Sequence, residues 1–179
     1  MTYIAFLRGI NVGGHKKIKM ADLRSLMENI GFHDVLTYIQ SGNLIFKSDI
    51  PDHRDVESKI SKTILDHYGF DVAVVVKKRF ELMQFLGKNP FKFPEDIKDN
   101  KVYFVLLKNE PEQEGVEALS AMQFDNEHLV ITPTCVYLKC NLGAGKAKCN
   151  NNLIARKLKV DTTSRNHRTL MKILELSGD

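Results

Sequence analysis

The sequence predicts an α+β protein of two ferredoxin-like βαββ(αβ) lobes, the second incomplete and finished by C-terminal helices. Three observations predict it. Short β runs and helix-periodic segments follow one another as βαββαβ over residues 1–77, and the βαββ order starts again at Val102. The stretch between, Lys88 to Asn100, carries Pro and Lys without periodicity and reads as a linker. The expected organisation is therefore an N-terminal lobe over 1–77, a helix and linker over 78–100, and a second α+β lobe over 101–179.

The elements follow in order. Tyr3 to Arg8 alternates large apolar residues and predicts a strand. Met20 to Ile30 sets Leu23, Leu26, Met27 and Ile30 on one helical face, with Gly31 as its stop. Val35 to Gln40 and Asn43 to Lys47 form a hairpin across Ser41-Gly42. Asp49, Pro51 and Asp52 announce a helix whose Val56, Ile60, Ile64 and Tyr68 recur every four residues before Gly69. Asp71 to Val76 is a β-branched strand, and Arg79 to Leu86 a short helix ended by Asn89-Pro90.

In the second half, Val102 to Leu107 predicts a strand and Pro111 to Met122 a helix with an acidic start. His128 to Thr132 and Val136 to Lys139 form a hairpin around Pro133-Thr134. Helices over Asn150 to Lys159 and Asn166 to Leu176 complete the chain, with no sixth element of strand type. Thr162 to Asn166 reads as a loop before the last helix, with Thr163 or Ser164 as its cap.

Composition sets the class. At 179 residues, with 43% hydrophobic residues, the chain can fill one sizeable core or two small ones. Cys135, Cys140 and Cys149 form no CxxC pair and leave one over in any disulfide scheme, which predicts reduced thiols and a cytoplasmic protein. The N-terminus lacks the cations and apolar length of a signal peptide, and no run approaches the ~18 apolar residues of a membrane span, so no membrane partner is expected.

The net charge of +4 is unevenly spread. Residues 1–24 carry five Lys or Arg against one Asp, residues 81–127 five against ten acidic residues, and residues 139–172 nine against Asp161 alone. If folding brought the two basic segments together, they would make one positive face suited to phosphates or RNA; kept apart, they are solvated surface.

The densest candidate site is Leu7-Arg-Gly-Ile-Asn-Val-Gly-Gly14, followed by His15, Lys16, Lys17 and Lys19. Gly9, Gly13 and Gly14 permit positive φ and let backbone amides converge on an anion, while a helix beginning near Met20 would add its N-terminus. The alternative is a strand exit with a glycine turn and a basic rim. Gly9 and Gly14 have P-loop spacing, but His15 stands where Lys is required, and the dinucleotide fingerprint fails as well.

Ser41-Gly42-Asn43 reads as hairpin chemistry or as a polar contact beside that stretch. Gly143 to Lys148 could wrap an anion with Lys146, and Arg165 and Asn166 stand out near the C-terminus. No His pair has metal-ligand spacing and Ser41 sits in no nucleophile elbow, so neither a metal site nor a catalytic residue is assigned. Tyr3, Phe6, Tyr38 and Phe46 lie on predicted strands, yet the third strand lacks the basic-Gly-aromatic signature of RNA-recognition lobes.

Four segments in order, Leu7 to Gly14, Tyr38-Ile-Gln-Ser-Gly-Asn43, Phe70-Asp-Val and Thr162-Thr-Ser-Arg-Asn166, resemble a bacterial family, domain of unknown function 1697. The resemblance runs over nearly the whole chain. It implies an α+β fold and no assigned reaction, so it transfers no catalytic residue.

The functional expectation is a phosphate-bearing partner, RNA or a nucleotide, held by Arg8, Asn11, Gly13, Gly14, Lys17, Asn43, Lys146, Arg165 and Asn166. The alternatives are an enzyme acting on a phosphorylated small molecule and a protein-interaction module. The residues name no cofactor and assign no oligomeric state.

Overall fold

The computed structural model describes residues 1–178. The molecule is mixed α+β, with two four-stranded antiparallel sheets and seven α-helices among the described residues. Two compact units divide the chain: Met1–Leu82 together with Ile173–Asp179, and Met83–Lys172.

The first unit runs β1 (Thr2–Leu7), α1 (Met20–Asn29), β2 (His33–Tyr38), β3 (Asn43–Lys47), α2 (His53–Tyr68) and β4 (Val74–Lys78), with sheet order β2-β3-β1-β4. β1 is central, its Ala5 opposite Leu44 on one side and Val76 on the other. Alternation puts Tyr3, Ala5 and Leu7 on one face, where they pack with Leu23, Met27, Val56, Ile60 and Ile64 of the helices. The expected helical face of α2 is the buried one. Asp52 caps α2 by accepting from the Arg54 amide, and Gly69 ends it in the left-handed region at φ 76°. Glu57 is the polar exception on that face: it is 1% exposed, and its carboxylate accepts the Val76 amide at 2.8 Å.

α3 (Arg79–Gly87) follows β4 directly, with Glu81 accepting the Lys78 amide. Within residues 88–100 lies a further short helix, α4 (Pro94–Lys98), whose Asp96 pairs with Lys139 at 2.6 Å.

The second unit continues with β5 (Val102–Leu107), α5 (Gln113–Ser120), β6 (Glu127–Ile131), β7 (Cys135–Cys140), α6 (Asn151–Leu158) and β8 (Thr162–Asn166), in sheet order β6-β7-β5-β8. α7 (His167–Leu176) follows. One expectation is corrected here. The second lobe is not incomplete, because Thr162–Asn166 is a strand paired with β5, Val105 opposite Ser164, and it closes a full βαββαβ.

The strand escaped periodicity because it contains no apolar residue: Thr162 and Thr163 are buried, and the Thr162 hydroxyl donates to Asn151 Oδ1 at 2.8 Å. Thr163 and Ser164 therefore do not cap the last helix. Asn166 does, accepting the Thr169 amide through Oδ1 at 2.8 Å.

Candidate functional site

The glycine stretch folds into a tight loop leaving β1. Val12 and His15 bridge across a turn whose central residues, Gly13 and Gly14, sit at φ 57° and 79°. Two consecutive positive φ values define a hairpin turn that glycine enters without steric cost. The His15 amide closes it on the Val12 carbonyl at 3.1 Å.

Asn11 holds the loop together. Its Nδ2 donates to the Ile18 and Gln40 carbonyls, both at 2.9 Å, and its Oδ1 accepts the Ile18 amide at 2.9 Å. The side chain thus ties the loop to the β2–β3 hairpin tip, with both amide protons already committed. Asn43 is likewise scaffold: fully buried, it donates through Nδ2 to the Tyr38 carbonyl at 2.9 Å and to Ser41 Oγ at 3.1 Å. Arg8 is half-buried, with its backbone amide on the Ala73 carbonyl.

What the loop leaves is a cleft of about 610 Å³, lined by Asn11, Gly14, Lys17, Ile18, Lys19, Met20, Asp22, Gln40 and Tyr68. That volume lies in the range of small-molecule sites. Three predicted residues, Asn11, Gly14 and Lys17, meet there; Arg8, Gly13 and Asn43 do not line it.

Lys17 and Lys19 are exposed, and their side chains make no hydrogen bond or ion pair among the described residues. Lys19 is also the N-cap residue of α1, and no side chain there satisfies the first amides of the helix. Asp22, in the first turn, brings a carboxylate to the same wall. The Tyr68 hydroxyl is buried without a hydrogen-bond partner, and burial, reinforced by Asp22, raises its pKa.

Tyr68 was legible only as the last inward position of α2, and Asp22 only as the single acidic residue of the basic N-terminal segment. Gln40 carried no signal, since its role lies in its backbone carbonyl.

The remaining predicted residues belong to the second unit. Lys146 is exposed on a 3₁₀ turn, Ala144–Lys146, that precedes α6. Asn150 caps that helix by accepting the Leu153 amide. Arg165 lies in β8, 9% exposed, donating to Thr163 Oγ1 and the Ser164 carbonyl at 2.8 Å each; burial brings its pKa down to about 10. Its surroundings are those of a structural cation, and Asn166 is the helix cap described above.

The comparisons agree with this architecture. The family model described as a protein of unknown function, DUF1697, matches residues 1–137, and the chain belongs to that family. A solved structure of a conserved bacterial protein from Streptococcus pneumoniae superimposes with a TM-score of 0.73, at 23% identity, covering 99% of this chain and 98% of that one. At that identity the likeness concerns the fold. No curated protein matches. No helix among the described residues is long and apolar enough to cross a membrane.

Proposed function

We propose that the cleft beside α1 binds a small phosphate-bearing ligand of nucleotide size. One observation carries the proposal: the loop gathers two lysines without partners, Lys17 and Lys19, around a helix N-terminus that has no side-chain cap, in a cleft of about 610 Å³. Ammonium groups and helix-terminal amides are complementary to phosphate oxygens, and the Tyr68 hydroxyl supplies a further donor. A nucleotide is favoured over RNA because three of the four strand aromatics of this unit, Tyr3, Phe6 and Phe46, are each at most 1% exposed, which leaves only the half-buried Tyr38 for base stacking.

The test is a thermal-shift screen of nucleotides, phosphosugars and short RNAs at two ionic strengths. A phosphate-bearing ligand raises the melting temperature, and the shift shrinks in high salt and in Lys17→Ala/Lys19→Ala. Silence across the panel refutes the proposal.

Asp22 and Tyr68 in the same cleft favour a second reading, an enzyme acting on a phosphorylated small molecule. Turnover of a binding phosphosugar that is abolished by Asp22→Asn, with the thermal shift retained, distinguishes it.

A further inference from the structure

We propose that the ligand of the cleft beside α1 is a guanine nucleotide, with Asp22 accepting the paired donors of the base while the lysines hold the phosphate; this rests on the phosphate reading above. A carboxylate is what a phosphate site alone does not explain. Asp22 lines the cleft with Lys17 and Lys19, is exposed, and makes no hydrogen bond or ion pair among the described residues. Both lysines are equally without partners, so opposite charges share one cleft without pairing. In the first turn of α1, Asp22 suits the helix dipole, yet that role engages neither oxygen in a side-chain bond.

A carboxylate only accepts hydrogen bonds, and it repels phosphate. A ligand filling the cleft therefore sets its phosphate toward the lysines and turns N–H or O–H donors to Asp22. The neighbouring wall decides which donors these are. After burial, the charge of Asp22 is the second influence raising the Tyr68 pKa, which places the carboxylate near that residue. Tyr68 lines the cleft with Ile18 and Met20, and its ring is fixed by Phe70, stacked at 5.8 Å, and by His67, edge-on at 4.7 Å. A rigid ring, a thioether and an aliphatic side chain make an apolar wall that suits a planar base better than a sugar.

Guanine presents two adjacent donors, N1–H and the 2-amino group, which match the two oxygens of a carboxylate in bidentate fashion. Adenine and cytosine set a ring-nitrogen acceptor beside their amino donor, and uracil sets carbonyls on both sides of its N–H, so each turns an acceptor toward the second oxygen. The same guanine edge carries the O6 carbonyl next to N1–H. The Tyr68 hydroxyl, buried without a hydrogen-bond partner, is a donor for it.

The probes are guanosine, inosine and adenosine monophosphates and ribose 5-phosphate, titrated into the full chain by isothermal calorimetry. The guanosine nucleotide is expected to bind about tenfold or more tightly than the inosine nucleotide, which lacks only the 2-amino group, with the other two weaker still. Asp22→Asn, with circular dichroism retained, lowers affinity for the guanosine nucleotide and raises it for xanthosine monophosphate, whose 2-carbonyl accepts from the new amide. If Asp22→Asn fails to fold, the guanosine and inosine nucleotides make the same test on the native chain. Equal binding of those two, or of the guanosine nucleotide and ribose 5-phosphate, overturns the guanine assignment; the phosphate reading survives that result if Lys17→Ala/Lys19→Ala weakens every probe. Absence of binding by all four overturns both.

Discussion

Gly42 illustrates how little room single residues have near the cleft. It sits at φ 77°, and a Cβ there would stand 2.6 Å from Leu7 Cβ and 2.8 Å from Ile10 Cδ1. Gly42→Ala combines backbone strain with overpacking, and we expect a loss of about 2–4 kcal/mol in urea unfolding. Asn11→Ala removes three hydrogen bonds at a position with φ 55°. The expected cost is about 2 kcal/mol, and Asn11→Gly, which relieves the backbone but not the bonds, recovers only part of it.

The thiols titrate with a defined sign. Cys149 is pushed up to about 12 and Cys140 to about 11, by burial first, with neighbouring negative groups adding to it. The folded state holds both protonated while unfolded thiols ionise from about 9. Their contribution is therefore complete below that value and is lost as pH rises toward 12. Urea midpoints should fall above pH ~9. A Cys140→Ala/Cys149→Ala variant should show a shallower fall. The slope does not vanish, because Tyr137, raised to about 12, titrates in the same window. At pH ~8 both thiols should resist an aromatic disulfide reagent until the chain unfolds.

Among the elements, legibility followed the source of burial. β5 was read over its observed span, Val102–Leu107, because its burial comes from apolar side chains that announce themselves. β8 was not, because Thr162 and Thr163 are buried by satisfied hydroxyls rather than by hydrophobicity, and such bonds depend on residues such as Asn151, remote in the sequence. The cleft shows the same division. Its lysines and glycines were visible in the sequence, but the frame that shapes it rests on Asn11 reaching the Gln40 carbonyl, which no local pattern encodes. α5 and α6 depend on another close approach: a Cβ on Gly115 would lie 2.9 Å from the Lys157 carbonyl and 3.1 Å from Leu158 Cα. Gly115→Ala, favourable in an isolated helix, should destabilise this one by about 1–3 kcal/mol, read from the same urea midpoints.

For the molecule as a whole, the repeated βαββαβ order was visible as two starts of one pattern, and only the second ending was hidden. The compact units do not follow chain order, since Ile173–Asp179 groups with the N-terminal residues. Ile173 is fully buried and Ser177 7% exposed. Truncation after Lys172 should lower the melting temperature by about 5 °C or more, measured by calorimetry.

That grouping bears on synthesis. Domains usually form as they leave the ribosome, earliest first. Here the unit that holds β1 to β4 also holds the segment from Ile173, so that unit is completed only after the whole of the second unit has been made. Nascent chains stalled short of Ile173 should therefore stay more open to protease in residues 1–82 than chains in which the segment from Ile173 has emerged.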